Sequence, residues 1–445
     1  MTVKSTTTRA AWLALAGAVV MSACPAPARG GEETPLPLKL EMGVKALTTA
    51  QVAGTYRMMA FGSATGKVNL GFGEVLVTVS PAGKGHVLEI DVDGDGKISR
   101  SEQVPIVNGT GVLTFIRPGD DTQTTYRVRF TQVGVGVDRG TIRSVSARCQ
   151  ADYAWRTTVG KTVVRLIDAN LDGKITQDGS DAVAIGASTI AMPLLKRHCI
   201  DGKEYDLEVS ADGKTLSAVA HNDREHGKVS LSFRAGALKS LILQSATGAY
   251  DVAANPMIPP GDYRLTLGML VQGGETAYIV PPSTPVTYTV KADFVNVLRL
   301  GPPLTVGIAG SYDKKGNISI RPPGGIVGAG GEYYRIQYPV AGRPMVAILA
   351  GGRSVASGPM ACDKDNRPTG FSERCPGLSD TWQVQVQVPV PGMPAASGAR
   401  SVGMLPIPDK PGDPPDVPPA TVRYLPLKDR PASRPATHPA SRPAP

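Results

Sequence analysis

The chain has 445 residues, 47 Lys and Arg against 38 Asp and Glu, a formal net charge of +9, 5% aromatics, 51 Gly and 39 Pro. That length gives room for two or three domains with sizeable cores, and the Gly- and Pro-rich, aromatic-poor mixture predicts many short strands and turns rather than long helices. The cations are scattered, with no basic run and no aromatic–basic interleaving, so nucleic acid is excluded as the expected partner and a solvated basic surface is expected instead.

Residues 1–23 read as an export signal: Lys4 and Arg9 supply a positive start, and Ala10 to Met21 form an apolar run too short to persist as a membrane span. Met21-Ser22-Ala23-Cys24 resembles a lipobox, the signal at which bacterial lipoprotein precursors are cut, with Met21 where Leu is usual. The resemblance implies a lipid on Cys24. Ala26-Pro27-Ala28 offers the alternative of ordinary signal-peptidase cleavage. Either outcome places the mature protein outside the cytoplasm, in the envelope, periplasm or beyond, touching a membrane only through a lipid. Residues 24–37 read as a linker.

The stretch 38–226 is expected to be a β-rich module. Glu74 to Val79 and Tyr126 to Phe130 alternate apolar with polar positions, the period of a strand with one face buried. Within this module, residues 91–102 read Asp-Val-Asp-Gly-Asp-Gly-Lys-Ile-Ser-Arg-Ser-Glu. Asp91, Asp93 and Asp95 stand at alternate positions, Gly96 at a turn that needs positive φ, Lys97 where a backbone carbonyl is offered, and Ser99 where a hydroxyl or its water serves. Glu102 stands where a bidentate carboxylate closes the shell. Ca²⁺ takes six to eight hard oxygen ligands, and a tight loop aims alternate side chains inward. The segment resembles the EF-hand calcium loop, which implies Ca²⁺ as the cofactor and Ile98 as the apolar anchor of the loop.

The pattern recurs at 168–181, where Asp168, Asn170, Asp172, Gly173, Lys174 and Thr176 match the first nine positions. The twelfth position is Gly179, which has no side chain to donate, so either Asp178 or Asp181 is expected to be recruited. A hydrogen-bonded Asx turn is the alternative reading of this loop. Before Asp91 lie Pro81, Gly83 and Gly85 followed by an alternating run; after Glu102, Pro105 arrives within a turn; before Asp168 lies the β-branched Thr162 to Ile167. Both loops are therefore expected between strands, as staples rather than as parts of a helix-pair switch. A short turn near Ala187 to Lys196 is the single helical expectation.

Residues 227–303 are expected to form a small β-sandwich, opening on Lys228 to Phe233. Ile258-Pro-Pro-Gly-Asp-Tyr-Arg-Leu265 resembles the Pro-Gly-x-Tyr turn-strand signature of carboxypeptidase-regulatory-like and transthyretin-like sandwiches, which implies a glycine turn and a tyrosine starting a core strand. Residues 304–392 are expected to form a third β module, with Gln383 to Val388 alternating. Residues 393–445 read as a disordered Pro-rich tail ending in Arg-Pro-Ala-Ser repeats. If Cys24 is removed or lipidated, Cys149, Cys199, Cys362 and Cys375 remain, an even number in an exported chain, with Cys149–Cys199 and Cys362–Cys375 the economical pairing of three possible.

No nucleophile elbow, zinc-protease, dinucleotide or phosphate-loop sequence occurs. His221 and His226 flank a polar turn rather than a metal pair. The fold class expected is all-β, several antiparallel sandwiches or barrels. The function expected is an exported calcium-binding envelope protein with a structural or adhesive role, facing an extracellular protein or polysaccharide. The alternatives are an extracellular hydrolase working through two carboxylates and a carbohydrate-binding protein; an enzymatic role is not the main expectation.

Overall fold

In the computed structural model the described residues are 35–42, 47–48, 58–61, 66–70, 74–82, 85–116, 125–138, 141–221, 225–232, 237–282, 284–313, 315–364, 366–405 and 422–426. Among them the protein is all-β, arranged in several sheets and joined by turns, with helix confined to the single 3₁₀ turns Arg100–Glu102 and Val402–Met404. The period-two alternation carries through as burial: Tyr126, Val128 and Phe130 are buried while Arg127 and Arg129 are not, and Gln383–Val388 alternates exposed with buried throughout. The leader expected over 1–23 and Cys24 lie outside the described residues.

One 16-stranded sheet joins strands from all three expected modules. It begins with Leu36–Pro37 and the antiparallel meander Arg197–Ile200, Lys203–Val209 and Thr215–His221, passes through Gly248–Asp251, Leu238–Gln244, Gly261–Gln272, Glu275–Val280 and Tyr333–Gln337, and ends at Met345–Ala350 and Arg353–Pro359. Two described strands fall inside the stretch read as a tail. Ala396–Ser401 pairs with Gln383–Val388, and Val422–Pro426 pairs with Phe294–Leu298; the first has small side chains that fit between Val306 and its partner strand, where Gly398 leaves no space for a Cβ.

Three apolar clusters fill the interior. The first holds Val77, Leu88, Ile90, Val104, Val128 and Phe130; a second holds Val164, Leu166, Val183, Ile190 and Leu207; the third runs from Val229 to Leu405. Trp155 packs against both of the first two. The loops of interest leave strands that feed these clusters.

Two expectations are corrected. Ile190–Pro193 is a strand with every residue buried, in place of the helical turn expected near Ala187 to Lys196; an apolar run with both faces covered has no need of helical spacing. The cysteines do not bridge. Cys149 is buried in the first cluster, whereas Cys199 packs against the third and accepts a hydrogen bond from Asn255 Nδ2 at 2.7 Å. Cys362 donates its thiol to the Met360 carbonyl at 3.6 Å, and Cys375 is a buried thiol.

At the Pro-Gly-Asp-Tyr turn, Gly261 has φ +153° and Tyr263 is buried in the third cluster, its hydroxyl donating back to the Pro259 carbonyl at 2.8 Å. Tyr263→Phe removes a buried hydrogen bond while keeping the ring, so a loss of about 1 kcal/mol in urea unfolding is expected, against about 3–5 kcal/mol for Tyr263→Ala.

Candidate functional site

The first loop begins at the last residue of strand Gly85–Asp91 and ends in the 3₁₀ turn Arg100–Glu102, which runs directly into strand Gln103–Ile106. Strand pairing of those two flanks fixes the mouth of the loop. Asp91 and Glu102 are buried at that mouth, each 6% exposed, while Asp93 and Asp95 stand in solvent. Asp91 Oδ1 accepts from Gly94 N at 2.9 Å and Oδ2 from Gly96 N at 3.1 Å; Asp93 Oδ1 accepts from Asp95 N at 3.1 Å and Asp95 Oδ1 from Lys97 N at 2.7 Å. Gly94 and Gly96 have φ of +74° and +78°, which turns successive side chains toward one centre.

Glu102 closes the loop on its own backbone. Its Oε1 accepts from Val92 N at 2.7 Å and its Oε2 from Ser99 N at 2.7 Å. Burial alone would raise this carboxyl; hydrogen bonds from the Ser99 backbone and hydroxyl and from the Val92 backbone outweigh it and hold the group below the ordinary glutamate value. Ile98, expected as the apolar anchor, is 37% exposed. Val92 is the residue that enters the core, 6% exposed, because the amide that Glu102 holds fixes its backbone beside Ile90.

The second loop repeats most of this scheme between strands Thr162–Ile167 and Ala182–Ile185, with Asp168 Oδ1 accepting from the position-five amide of Asp172 at 3.0 Å where Asp91 Oδ1 takes the position-four amide of Gly94. Gly173 N donates to Asp168 Oδ2 at 2.8 Å, Asp172 N to Asn170 Oδ1 at 2.8 Å and Lys174 N to Asp172 Oδ1 at 2.9 Å. Gly173 has φ +77°, and Leu171, at the position of Gly94, also lies in the left-handed region with φ +60°. Such a backbone costs a non-glycine residue about 1–2 kcal/mol; Leu171 offsets it by burial in the first cluster at 4% exposure.

Of the two acids open at the end of this loop, Asp181 takes the place of Glu102. Its Oδ1 accepts from Ala169 N at 3.0 Å and its Oδ2 from Thr176 N at 2.7 Å, the same two loop positions that Glu102 holds. The added two residues of loop length compensate for a side chain one methylene shorter. Asp178 is occupied elsewhere, accepting from Ser180 N at 2.8 Å and Ser180 Oγ at 2.6 Å, which hold it below the ordinary aspartate value. Asp168 and Asp181 are buried at 0% and 1% exposure. Burial, with the Asp168 and Asp172 carboxylates beside it, pushes Asp181 up to about 7.

Side chains distant in sequence position the second loop, and no local pattern announces them. Tyr153 OH donates to Asp168 Oδ2 at 2.7 Å. The preceding Asp152, fully buried, pairs with Arg127 at 3.1 Å and with Arg129, tying the start of the Tyr153 strand to its neighbour. Gln177 Nε2 donates to the Leu207 carbonyl at 2.8 Å and its Oε1 accepts from Val209 N at 3.0 Å, so the far end of the loop is stitched to the large sheet.

All donors in both loops are oxygens, the ligand set Ca²⁺ prefers. Asp91, Asp93 and Asp95 bring one carboxylate oxygen each to within 4.8 Å of one another, the span across one ion when each bond is about 2.3–2.6 Å. The residues of the first loop fit the ion. No family model, curated protein or solved structure matches the chain.

Two outcomes follow for the protein in chelator. Glu102→Ala leaves the Val92 and Ser99 amides without their acceptor and lowers stability by about 1–3 kcal/mol in urea unfolding, whereas Glu102→Gln, which retains one acceptor, loses less. Asp181 has a folded value raised above its ordinary 3.8. Its stabilising contribution is therefore full below that value and lost as pH rises to about 7. Unfolding midpoints compared from about pH 4 to about pH 8 will show this decline in the wild type and a flatter profile in Asp181→Asn.

Proposed function

We propose that the chain is an exported, β-rich protein of the cell envelope in which two Ca²⁺ ions act as structural staples, in a structural or adhesive role. The observation that carries the reading is the matched closure of the two loops: Glu102 and Asp181 each bridge the amides of loop positions two and nine, although one lies two residues farther along. Asp91, Asp93, Asp95 and Glu102, with the Lys97 carbonyl and Ser99, supply one set of ligands; Asp168, Asn170, Asp172, the Lys174 carbonyl, Thr176 and Asp181 supply the other. At each loop the clustered carboxylates repel, and a divalent cation removes that repulsion at the place where burial makes it strongest.

The setting favours a staple over a switch. Each loop is flanked by strands paired into sheets rather than by a helix pair that could open, so ion binding stabilises the state already present. Sites of this kind outside cells bind at about 10⁻⁴–10⁻³ M, and at a hundredfold excess over Kd an ion contributes about 2.7 kcal/mol. Export, ending either in a lipid on Cys24 or in ordinary cleavage near Ala28, is read from the start of the chain, and either outcome places the loops where calcium is plentiful. The resemblance to the EF-hand loop supports the same ion.

Thermal unfolding of the full chain tests the reading. Ca²⁺ at a few millimolar is expected to raise the midpoint by about 5 °C or more over EGTA, with Mg²⁺ giving a smaller rise. The Asp91→Ala, Asp168→Ala double variant is expected to unfold at one temperature in both. An unchanged wild-type midpoint, or equal rises in wild type and double variant, would overturn the proposal.

A further inference from the structure

The large sheet carries a groove that the calcium loops do not explain. A hollow of about 840 Å³ lies over the strands Leu238–Gln244, Gly261–Gln272 and Thr287–Val290, and a second of about 650 Å³ lies against Tyr333–Gln337; both are bounded by Pro281. The register places them side by side. Arg264 sits opposite Gln244 on one side and Thr287 on the other, and Val280, which precedes Pro281, sits opposite Tyr333. Pro281 thus stands where one strand's end passes the next hollow's wall.

The lining has a definite chemistry. Arg264 is exposed on the floor of the first hollow between two polar neighbours, and Asp262 at its side already accepts the Thr289 hydroxyl at 2.6 Å. The second hollow presents Tyr333 and Tyr338, half-buried, with Arg335 and the exposed Arg367 beside them. Three arginines therefore face one carboxylate along the groove, on a chain whose net charge is +9. Fixed tyrosine and proline faces take the C–H side of a sugar ring, while an arginine fork takes a carboxylate through two parallel hydrogen bonds.

We propose that this groove binds a linear polysaccharide bearing carboxylates, one uronate-type group meeting Arg264 and another Arg367, with a sugar ring between them on the tyrosines. A single sugar would fill one hollow; two hollows sharing the Pro281 edge suit a chain. Nucleic acid fits less well, because no described residue lining the first hollow offers an aromatic face on which a base could stack. The inference is independent of calcium.

Affinity electrophoresis of the full chain in EDTA, through gels containing polygalacturonate, tests it. Retardation is expected with polygalacturonate and not with neutral dextran. Arg264→Ala and Arg367→Ala should each weaken binding about tenfold with unchanged unfolding midpoints, and Arg367→Lys should fall short of wild type because it lacks the fork. Absence of retardation, alanine variants retarded as strongly as the wild type, or tighter binding of single-stranded oligonucleotide or poly-glutamate than of polygalacturonate would overturn the proposal.

Discussion

A short loop that gathers carboxylates at its mouth has to hold its own ends together against their repulsion. In this protein a single acidic side chain does so at each loop, using two oxygens to pin two amides seven positions apart. Glu102 reaches Val92 and Ser99; Asp181 reaches Ala169 and Thr176. The pinned amides fix the flanking apolar residues, so Val92 and Leu171 lie in the first cluster while Asp93 and Asp95 stand in solvent. Loop closure and core formation are thus one constraint, and both depend on where the closing carboxylate stands.

The two loops differ in how much the closure is strained without an ion. Hydrogen bonds keep Glu102 below its ordinary value in spite of burial, whereas Asp181 is pushed up to about 7 by deeper burial and the neighbouring Asp168 and Asp172. The second loop is also the more firmly framed, by Tyr153 on Asp168 and by Gln177 on the large sheet. A site with buried, mutually repelling acids and a rigid frame gains most from a cation, because the frame prevents relief by opening. The loop with the less regular sequence is therefore the one that would gain more from a bound ion.

Much of this was legible in the chain. Glycines at Gly96 and Gly173 mark positive φ, and alternation at Gln383 to Val388 marks a strand with one buried face, because both signals are local. Ile98 misled: the alternation of a loop predicts an apolar anchor, but which side the core lies on is decided by the sheet, and it lies under Val92. Asp181 was one of two open choices, since a bridge from position fourteen to positions two and nine depends on the path of the loop. Tyr153, Asp152 and Gln177 gave no signal, as their partners come from strands brought together only by folding. The thiols were misread for the same reason: parity suggests bridges, but Cys149 and Cys199 feed different apolar clusters.

The count of bound ions tests the account most directly. Native mass spectrometry of the full chain in millimolar Ca²⁺ is expected to show two ions per chain, one in Asp181→Asn and one in Glu102→Gln, with none in the double variant. A wild-type chain that carries no calcium, or variants that carry as many ions as the wild type, would contradict it.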